Sequence, residues 1–257
     1  MAWETVTLDW DEQVATLTVD RPDALNALNV ETLEAMNEAL NEAADNDART
    51  LVLTGAGDDA FIAGADIKYM KDLPQSAAIE WGELGHSVAD ALETFPAPTV
   101  AAVNGYAFGG GCEMAIACDM RVASESAVIG NTEISLGIIP GGGATHRLPR
   151  LVGDEMARRL VYLGERVDAA TAEEIGLVGE VVPDEELDTR VSELAAELAS
   201  QPAMALQAAK RALNHSLKGS QTAGLEYEKE AFASLFETHD QREGMAAFVE
   251  NREPEFE

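Results

Sequence analysis

NGYAFGGGCEMAIACD, spanning Asn104 to Asp119, sets three consecutive glycines against the start of a short apolar helix and places one glutamate, Glu113, in its first turn. Gly109, Gly110 and Gly111 can bring the backbone close to a ligand with free N–H groups aimed at it. The helix that follows adds its positive end, so a developing oxyanion would be stabilised there. A carboxylate at the same place would act on the atom beside that oxyanion. The same residues also describe a tight strand-to-helix turn, in which glycine relieves crowding and Glu113 complements the helix dipole. On the turn alone, that second reading is the commoner one.

A second carboxylate shifts the balance. Outward from the helix, Met120–Ala123 and Ala127–Gly130 read as short apolar strands, followed by NTEISLGIIPGGGATHRLPR from Asn131 to Arg150. Glu133 stands there in apolar surroundings, ahead of another glycine cluster at Gly141–Gly143. The glutamates are 20 residues apart, enough for one helix out and one strand back to bring both to one pocket. Two carboxylates around a partly buried site raise each other's pKa, so one holds a proton while the other accepts one. Addition or removal of water needs that division of labour.

On these residues the chain resembles the crotonase, or enoyl-CoA hydratase and isomerase, superfamily, and more closely its hydratase branch. The resemblance is nearly full length. It also takes in DRPDALNALN at Asp20–Asn29, AFIAGADIKYM at Ala60–Met70, AEEIGLVGEVVP at Ala172–Pro183 and REGMAAFVENR at Arg242–Arg252, in the family's order. The resemblance implies an α/β fold: a crotonase-type ββα spiral core over residues 1–185, carrying the coenzyme A and catalytic site, then a helical oligomerisation region over 186–257. The assembly it implies is a homotrimer, or two trimers as a homohexamer. The oxyanion-hole amides would be those of Ala65 and Gly110, with Glu113 and Glu133 as the catalytic carboxylates. Substrate would touch Ala24, Leu25, Ala63, Asp66, Ile67, Gly109, Gly141 and, from a neighbouring subunit, Phe248. The implied reaction is syn addition of water to a trans-2-enoyl-CoA, as in fatty acid β-oxidation, without a cofactor, since coenzyme A is part of the substrate. The nearest alternative within the family is a Δ3-Δ2-enoyl-CoA isomerase, but members that only isomerise typically replace one of the two glutamates.

Departures from the family pattern carry information too. Where many relatives place a Lys ahead of the ALNAL segment and another in the C-terminal FVEKR, this chain has Asp23 and Asn251. Arg21, Lys68, Lys71 and Arg252 remain as candidates for the coenzyme A phosphates. The family's GGTQRL is here GATHRL, with His146 in place of Gln, which bears on how the Gly141–Gly143 loop is positioned.

Composition accounts for at least one of the lost lysines. The net charge is −30 over 257 residues, with 12 Arg against five Lys. An acidic, lysine-poor surface fits molar salt, where self-repulsion is screened within a few ångströms and long-range attraction of Lys for phosphate contributes little. A halophilic enzyme is the expectation. The same charge excludes nucleic acid as a partner, because no basic stripe exists to meet phosphate.

Periodicity bounds the architecture. With 46% apolar residues the chain can bury a full core. Val6–Leu8 and Val14–Val19 alternate as strands, Asn29 caps a helix to about Ala44, and Thr50–Leu53 returns as a strand. From about Glu185 the pattern predicts helices over 186–200, 203–217, 221–237 and 241–251. Cys112 and Cys118 fit neither a zinc spacing nor a disulfide, and the four histidines show no paired metal spacing, so no metal and a reducing cytoplasm are expected. TGAG at Thr54–Gly57 lacks a third glycine and a Walker lysine and reads as a turn. Trp3 and Trp10 are expected to pack the first hairpin, while Trp81 is a candidate for the acyl pocket. No apolar run reaches membrane-spanning length, and Met1–Asp20 is acidic, unlike a signal peptide. A glycosidase would also use paired carboxylates. With 5% aromatic residues, and no tryptophan near Glu113 or Glu133 in sequence, a sugar platform is missing. A noncatalytic scaffold would have no need of both glutamates.

Overall fold

The computed structural model describes residues 3–216 and 219–257. β1 (Val6–Asp11) and β2 (Val14–Val19) form an antiparallel hairpin, and the alternation along β2 buries Ala15, Leu17 and Val19. Asn29 caps α1 (Val30–Asp45): its Oδ1 accepts the Thr32 N–H at 2.8 Å, satisfying a donor that a helix start leaves open. β3 (Thr50–Gly55), α2 (Ile67–Met70), α3 (Gln75–Thr94), β4 (Thr99–Val103) and β5 (Tyr106–Phe108) lead to α4 (Gly110–Ala117). Then follow β6 (Met120–Ser124), β7 (Val128–Gly130), a 3-10 turn over Glu133–Leu136, α5 (Ala144–Val152) and α6 (Asp154–Leu163). β8 (Arg166–Asp168), α7 (Ala169–Glu174) and β9 (Glu180–Val182) complete the strand-bearing part. α8 (Leu187–Ala199), α9 (Ala203–Ser216), α10 (Gln221–Ser234) and α11 (His239–Glu250) end the chain.

Six strands form one sheet in the order β1-β2-β3-β4-β6-β9, parallel throughout except for the β1–β2 hairpin. Its central strands β3 and β4 read as continuous apolar runs because both faces are covered. On one face lies the main core, to which α1, α3 and α4 contribute. On the other, Val52, Val100, Ala102 and Val122 meet Leu187, Val191 and Ala195 of α8. So α8, which begins the expected oligomerisation region, also roofs the sheet.

The helical ends follow their caps. The helix expected from 241 starts at His239, because Thr238 accepts the Gln241 N–H at 3.2 Å and fixes the first turn there. The expected 221–237 helix is α10 continued by a 3-10 turn over Leu235–Glu237. Of the helix expected over 203–217, the last residue lies outside the described residues. Trp3 packs against the core and donates its indole N–H to Glu38 at 2.9 Å, whereas Trp10 is exposed. Half of the TGAG segment, Thr54 and Gly55, ends β3 rather than forming a turn, and the chain bends only from Ala56; the Gly55 and Gly57 carbonyls accept the Asn104 amide.

A second, three-stranded sheet, β5-β7-β8, stands at the end of α4. β5 and β7 pair in parallel with Phe108 beside Gly130, and the ladder ends in a Gly109 N–H to Gly130 carbonyl bond of 2.9 Å. The segments leaving β5 and β7 therefore start side by side.

One lysine is buried among the described residues. Lys210 on α9 reaches Asp119 at 2.7 Å and donates to the Ala97 carbonyl at 3.0 Å; Asp119 also accepts the Thr99 N–H at 2.8 Å. This pair fastens the C-terminal helices to the end of α4. Lys210→Ala leaves Asp119, whose side chain is 26% exposed and keeps its Thr99 bonds, without its cation, and a loss of about 1–2 kcal/mol is expected from urea unfolding. The loss should persist in molar salt, since a buried pair is little screened; a cost below about 0.5 kcal/mol would mark the contact as incidental.

Candidate active site

The paired strand ends bring the two glutamates together. Glu113 lies in the first turn of α4 and Glu133 opens the 3-10 turn after β7. Glu133 packs on Gly109, and both carboxyl groups line one cavity of about 320 Å³. Gly111 next to them is fixed by packing, because a Cβ there would overlap the Ile62 carbonyl oxygen. Of the three glycines, Gly109 spends its N–H on Gly130 and Gly111 is demanded by crowding. Gly110, the first residue of α4, keeps an N–H with no intrahelical acceptor and lines the cavity.

The second free amide comes from the other wall. Leu28 and Ala65 form an isolated parallel bridge, in which Leu28 N–H bonds the Gly64 carbonyl at 2.8 Å and Asp66 N–H bonds the Leu28 carbonyl at 2.7 Å. These bonds flank Ala65 and leave its own N–H without a backbone acceptor among the described residues. Arg21 braces the bridge, bonding the Ala27 carbonyl and pairing with Asp66 at 3.3 Å. Ala65 lines the cavity across from Glu113, so two N–H groups and two carboxyl groups border one space.

Burial sets the electrostatics. Desolvation raises the Glu113 pKa, opposed by the amides of Ala144 and Gly142 and by the Arg147 charge. Its Oε1 accepts the Gly142 N–H at 2.7 Å and the Ala144 N–H at 3.0 Å. A Cβ on Gly142 would stand 2.8 Å from Glu113 Oε2 and push the carboxylate out of place. Glu133 is pushed up to about 7 by burial first and then by the Glu113 charge. Its Oε2 is buried without a hydrogen-bond partner, as are both polar atoms of the Asn131 side chain beside it. Buried polar atoms of this kind are ordinarily satisfied by water or ligand. The arrangement can thus hold a proton on one carboxyl near neutral pH, accept one on the other, and stabilise an oxyanion between Ala65 and Gly110.

The other residues singled out from sequence divide. Ala63, Ile67, Gly109 and Gly141 line the cavity with Ala65, Gly110, Glu113 and Glu133. Ala24, Leu25 and Asp66 do not; Leu25 supports the wall by accepting the Ala63 N–H at 3.0 Å, and Asp66 caps α2. Phe248 is 85% exposed on α11 and does not line the cavity of its own subunit. Among the phosphate candidates, Arg252 is held by Glu243 and Glu250 and Arg21 by Asp66, which leaves Lys68 without an ion pair among the described residues. The cysteines are buried thiols, with Cys118 pushed up to about 12 by desolvation, and no group of three or more metal-ligating side chains occurs among the described residues.

Sequence reasoning missed much of the wall. Leu33, Met70, Met114 and Ile139 make the cavity apolar and were not singled out, whereas Trp81, the candidate named from sequence, lines it, tilted against Tyr69 at 5.6 Å. Gly82 and Gly85 of α3 also face it, with nothing within 4 Å of where a Cβ would project. The helical spacing of Trp81 and Gly85 was the available signal. His146 is exposed, and its neighbour Arg147 is the side chain that holds the glycine loop.

Comparison with known proteins identifies the family. A family model described as enoyl-CoA hydratase/isomerase matches residues 9–257. A crotonyl-CoA hydratase of Syntrophomonas wolfei is 43% identical over 257 residues, covering 100% of this chain and 99% of that protein. A short-chain-enoyl-CoA hydratase of Clostridium acetobutylicum is 42% identical, covering 99% and 98%. The crystal structure of an enoyl-CoA hydratase from Bacillus anthracis superposes with a TM-score of 0.95 at 37% identity, covering 98% of this chain and 99% of that one.

The raised Glu133 pKa makes a stability prediction. Between its ordinary value of 4.5 and about 7 the folded chain holds a proton that the unfolded chain has lost, so Glu133 lowers stability as pH rises through that window. Glu133→Gln should therefore raise the melting temperature relative to the parent at pH 8, and by clearly less at pH 4.5. Equal melting differences at both pH values would show that Glu133 ionises normally.

Proposed function

The chain belongs to the enoyl-CoA hydratase/isomerase family, and on that premise we propose that it is an enoyl-CoA hydratase, adding water reversibly across the double bond of a trans-2-enoyl-CoA to give the 3-hydroxyacyl-CoA. The observation that carries this is the single apolar cavity bordered by two free amides and two carboxyl groups of raised pKa. The thioester oxygen accepts from the Ala65 and Gly110 N–H groups, which draws electron density from the β-carbon and stabilises the enolate-like charge. Glu113, held as a carboxylate by the amides of Gly142 and Ala144, takes a proton from water as its oxygen bonds the β-carbon. Glu133, protonated near neutral pH, delivers the α-proton on the same face. After turnover the proton resides on Glu113, and its return to Glu133 restores the pair. The short apolar wall at Trp81 and Ile139, together with the relatives' names, supports short-chain substrates such as crotonyl-CoA.

Three substitutions test the roles. Glu113→Gln and Glu133→Gln should each lower kcat for crotonyl-CoA hydration by on the order of 10²-fold or more, with KM little changed. Gly110→Pro removes one N–H at the helix position where proline is best tolerated, and should cost about 10²-fold or more in kcat. Loss of the enoyl-thioester absorbance reads all three. Either glutamine variant turning over at the parent rate would remove that residue from the chemistry.

We infer further that the enzyme works as a trimer or hexamer in concentrated salt inside the cytoplasm. What supports assembly is the row of exposed apolar side chains on the C-terminal helices, Leu213, Phe232, Phe236, Phe248 and Val249 among them. What supports salt is the charge of −30 per chain, which repels itself across subunits when the Debye length lengthens from about 3 Å at 1 M to about 10 Å at 0.1 M. Light scattering and hydration rate across a potassium chloride series should fall together as salt is removed. Full assembly and full activity in dilute buffer would rule out the salt dependence.

A further inference from the structure

Behind the cavity wall, out of reach of substrate, one guanidinium joins three elements. Arg147 on α5 donates through Nη1 to the Gly142 carbonyl at 3.0 Å, through Nε to Glu93 at 2.9 Å and through Nη2 to Asp90 at 3.0 Å. Its side chain is 13% exposed, and that of Glu93 is 20% exposed. Gly142 and Ala144, the residues whose N–H groups hold Glu113, lie between this fork and the cavity. Glu93 and Asp90 sit in the last turns of α3, the helix that also carries Trp81 into the cavity. The glycine loop has no side chains of its own to fix it, so its position depends on what grips its carbonyls.

We propose that Arg147 is a positioning residue for the hydration reaction: anchored by Glu93 and Asp90, it holds the Gly141–Gly143 loop so that the Gly142 and Ala144 amides meet the Glu113 carboxylate. This rests on the hydratase reading above. Two effects run through the one side chain. The planar fork fixes geometry, because three of its nitrogens are committed at set angles. Its charge, behind the loop, also favours the ionised form of Glu113.

The charged groups around Glu113 make the sign of a pH effect definite. From α5 it faces Arg147, from the 3-10 turn Glu133, and from α3 the carboxylates Glu93 and Asp90 that lie beyond Arg147. On α4 itself the Cys112 thiol is held neutral by burial, and Arg121 of β6 bonds the Cys118 and Leu177 carbonyls at the far end of the helix. Removing the Arg147 charge therefore raises the Glu113 pKa. It leaves Glu133 nearly unaffected, since Arg147 is no part of what shifts that group.

The test is the pH profile of kcat/KM for crotonyl-CoA hydration in the parent, Arg147→Gln, Arg147→Lys and Glu93→Gln, with melting temperatures in the same buffers. Arg147→Gln should lower kcat by about tenfold or more with KM changed little, as misplacement of a reacting group does. Its acid limb should move up by about one pH unit while the alkaline limb stays in place. Arg147→Lys keeps the charge without the fork, so kcat should remain lowered while its acid limb rises by less than that of Arg147→Gln, since only the grip on the Gly142 and Ala144 amides is weakened. Glu93→Gln loosens the arginine's anchor, and it should lower kcat in the same direction as Arg147→Lys. A folded Arg147→Gln enzyme with the parent's kcat and acid limb overturns the proposal, whatever its melting temperature. Should Arg147→Gln fail to fold, the other two variants decide it: a parent-like kcat in both Arg147→Lys and Glu93→Gln overturns it equally. A parent enzyme that does not hydrate crotonyl-CoA defeats the hydratase reading itself, a result separate from any of these.

Discussion

The parallel pairing of β5 with β7 is the constraint on which the site depends. It is three residues long on each side, and its last bond, from Gly109 N–H to the Gly130 carbonyl, fixes where α4 and the Glu133 turn begin. From that shared origin one chain direction yields an amide and a carboxylate, Gly110 and Glu113, and the other yields the second carboxyl group. A slip of one residue would turn the side chains of one strand to the opposite face and separate the pair. The start of α4 is packed closely beside this pairing, since a Cβ on Gly111 would overlap the Ile62 carbonyl oxygen.

Around this origin the molecule places charge in two regimes. Outside, acidic groups face solvent and interact through screened water. Inside, each buried charge has identifiable partners: two amides for Glu113, a fork of carboxylates for Arg147, Asp119 and backbone carbonyls for Lys210. Glu133 is the exception, with a buried oxygen that has no partner. Unsatisfied burial costs stability, and here the cost falls on the group that the proposed reaction needs protonated.

Much of this was legible in the chain because it is local. The Asn29 cap, the alternation of β2, the glycine run ahead of Glu113 and the apolar setting of Glu133 each lie within a few residues of what they determine. The contacts that complete the site join distant segments. Nothing near Glu113 in sequence points to Gly142 and Ala144, about 30 residues on. In GATHRL the departure from the family pattern drew attention to His146, yet that side chain faces solvent, and the unaltered Arg147 does the holding. Arg21 read as a free cation and is instead spent on Asp66 and the Ala27 carbonyl. The helices after residue 185 were foreseen by period, but a period shows only that α8 has an apolar stripe; that the stripe roofs β3, β4 and β6 follows from tertiary packing.

Gly82 and Gly85 have a bearing on the enzyme's scope. A glycine inside a helix lowers its stability by roughly 0.5–1 kcal/mol relative to alanine, and α3 carries both on the turn that faces the cavity, where a Cβ would project into open space. Length discrimination can thus be retuned one methyl at a time from a helix that carries neither carboxylate nor oxyanion amide, and each alanine placed there strengthens the helix as it shortens the ruler. A smaller cavity and a more stable α3 therefore lie in the same mutational direction, so the open volume beside this turn is held at a cost in helix stability.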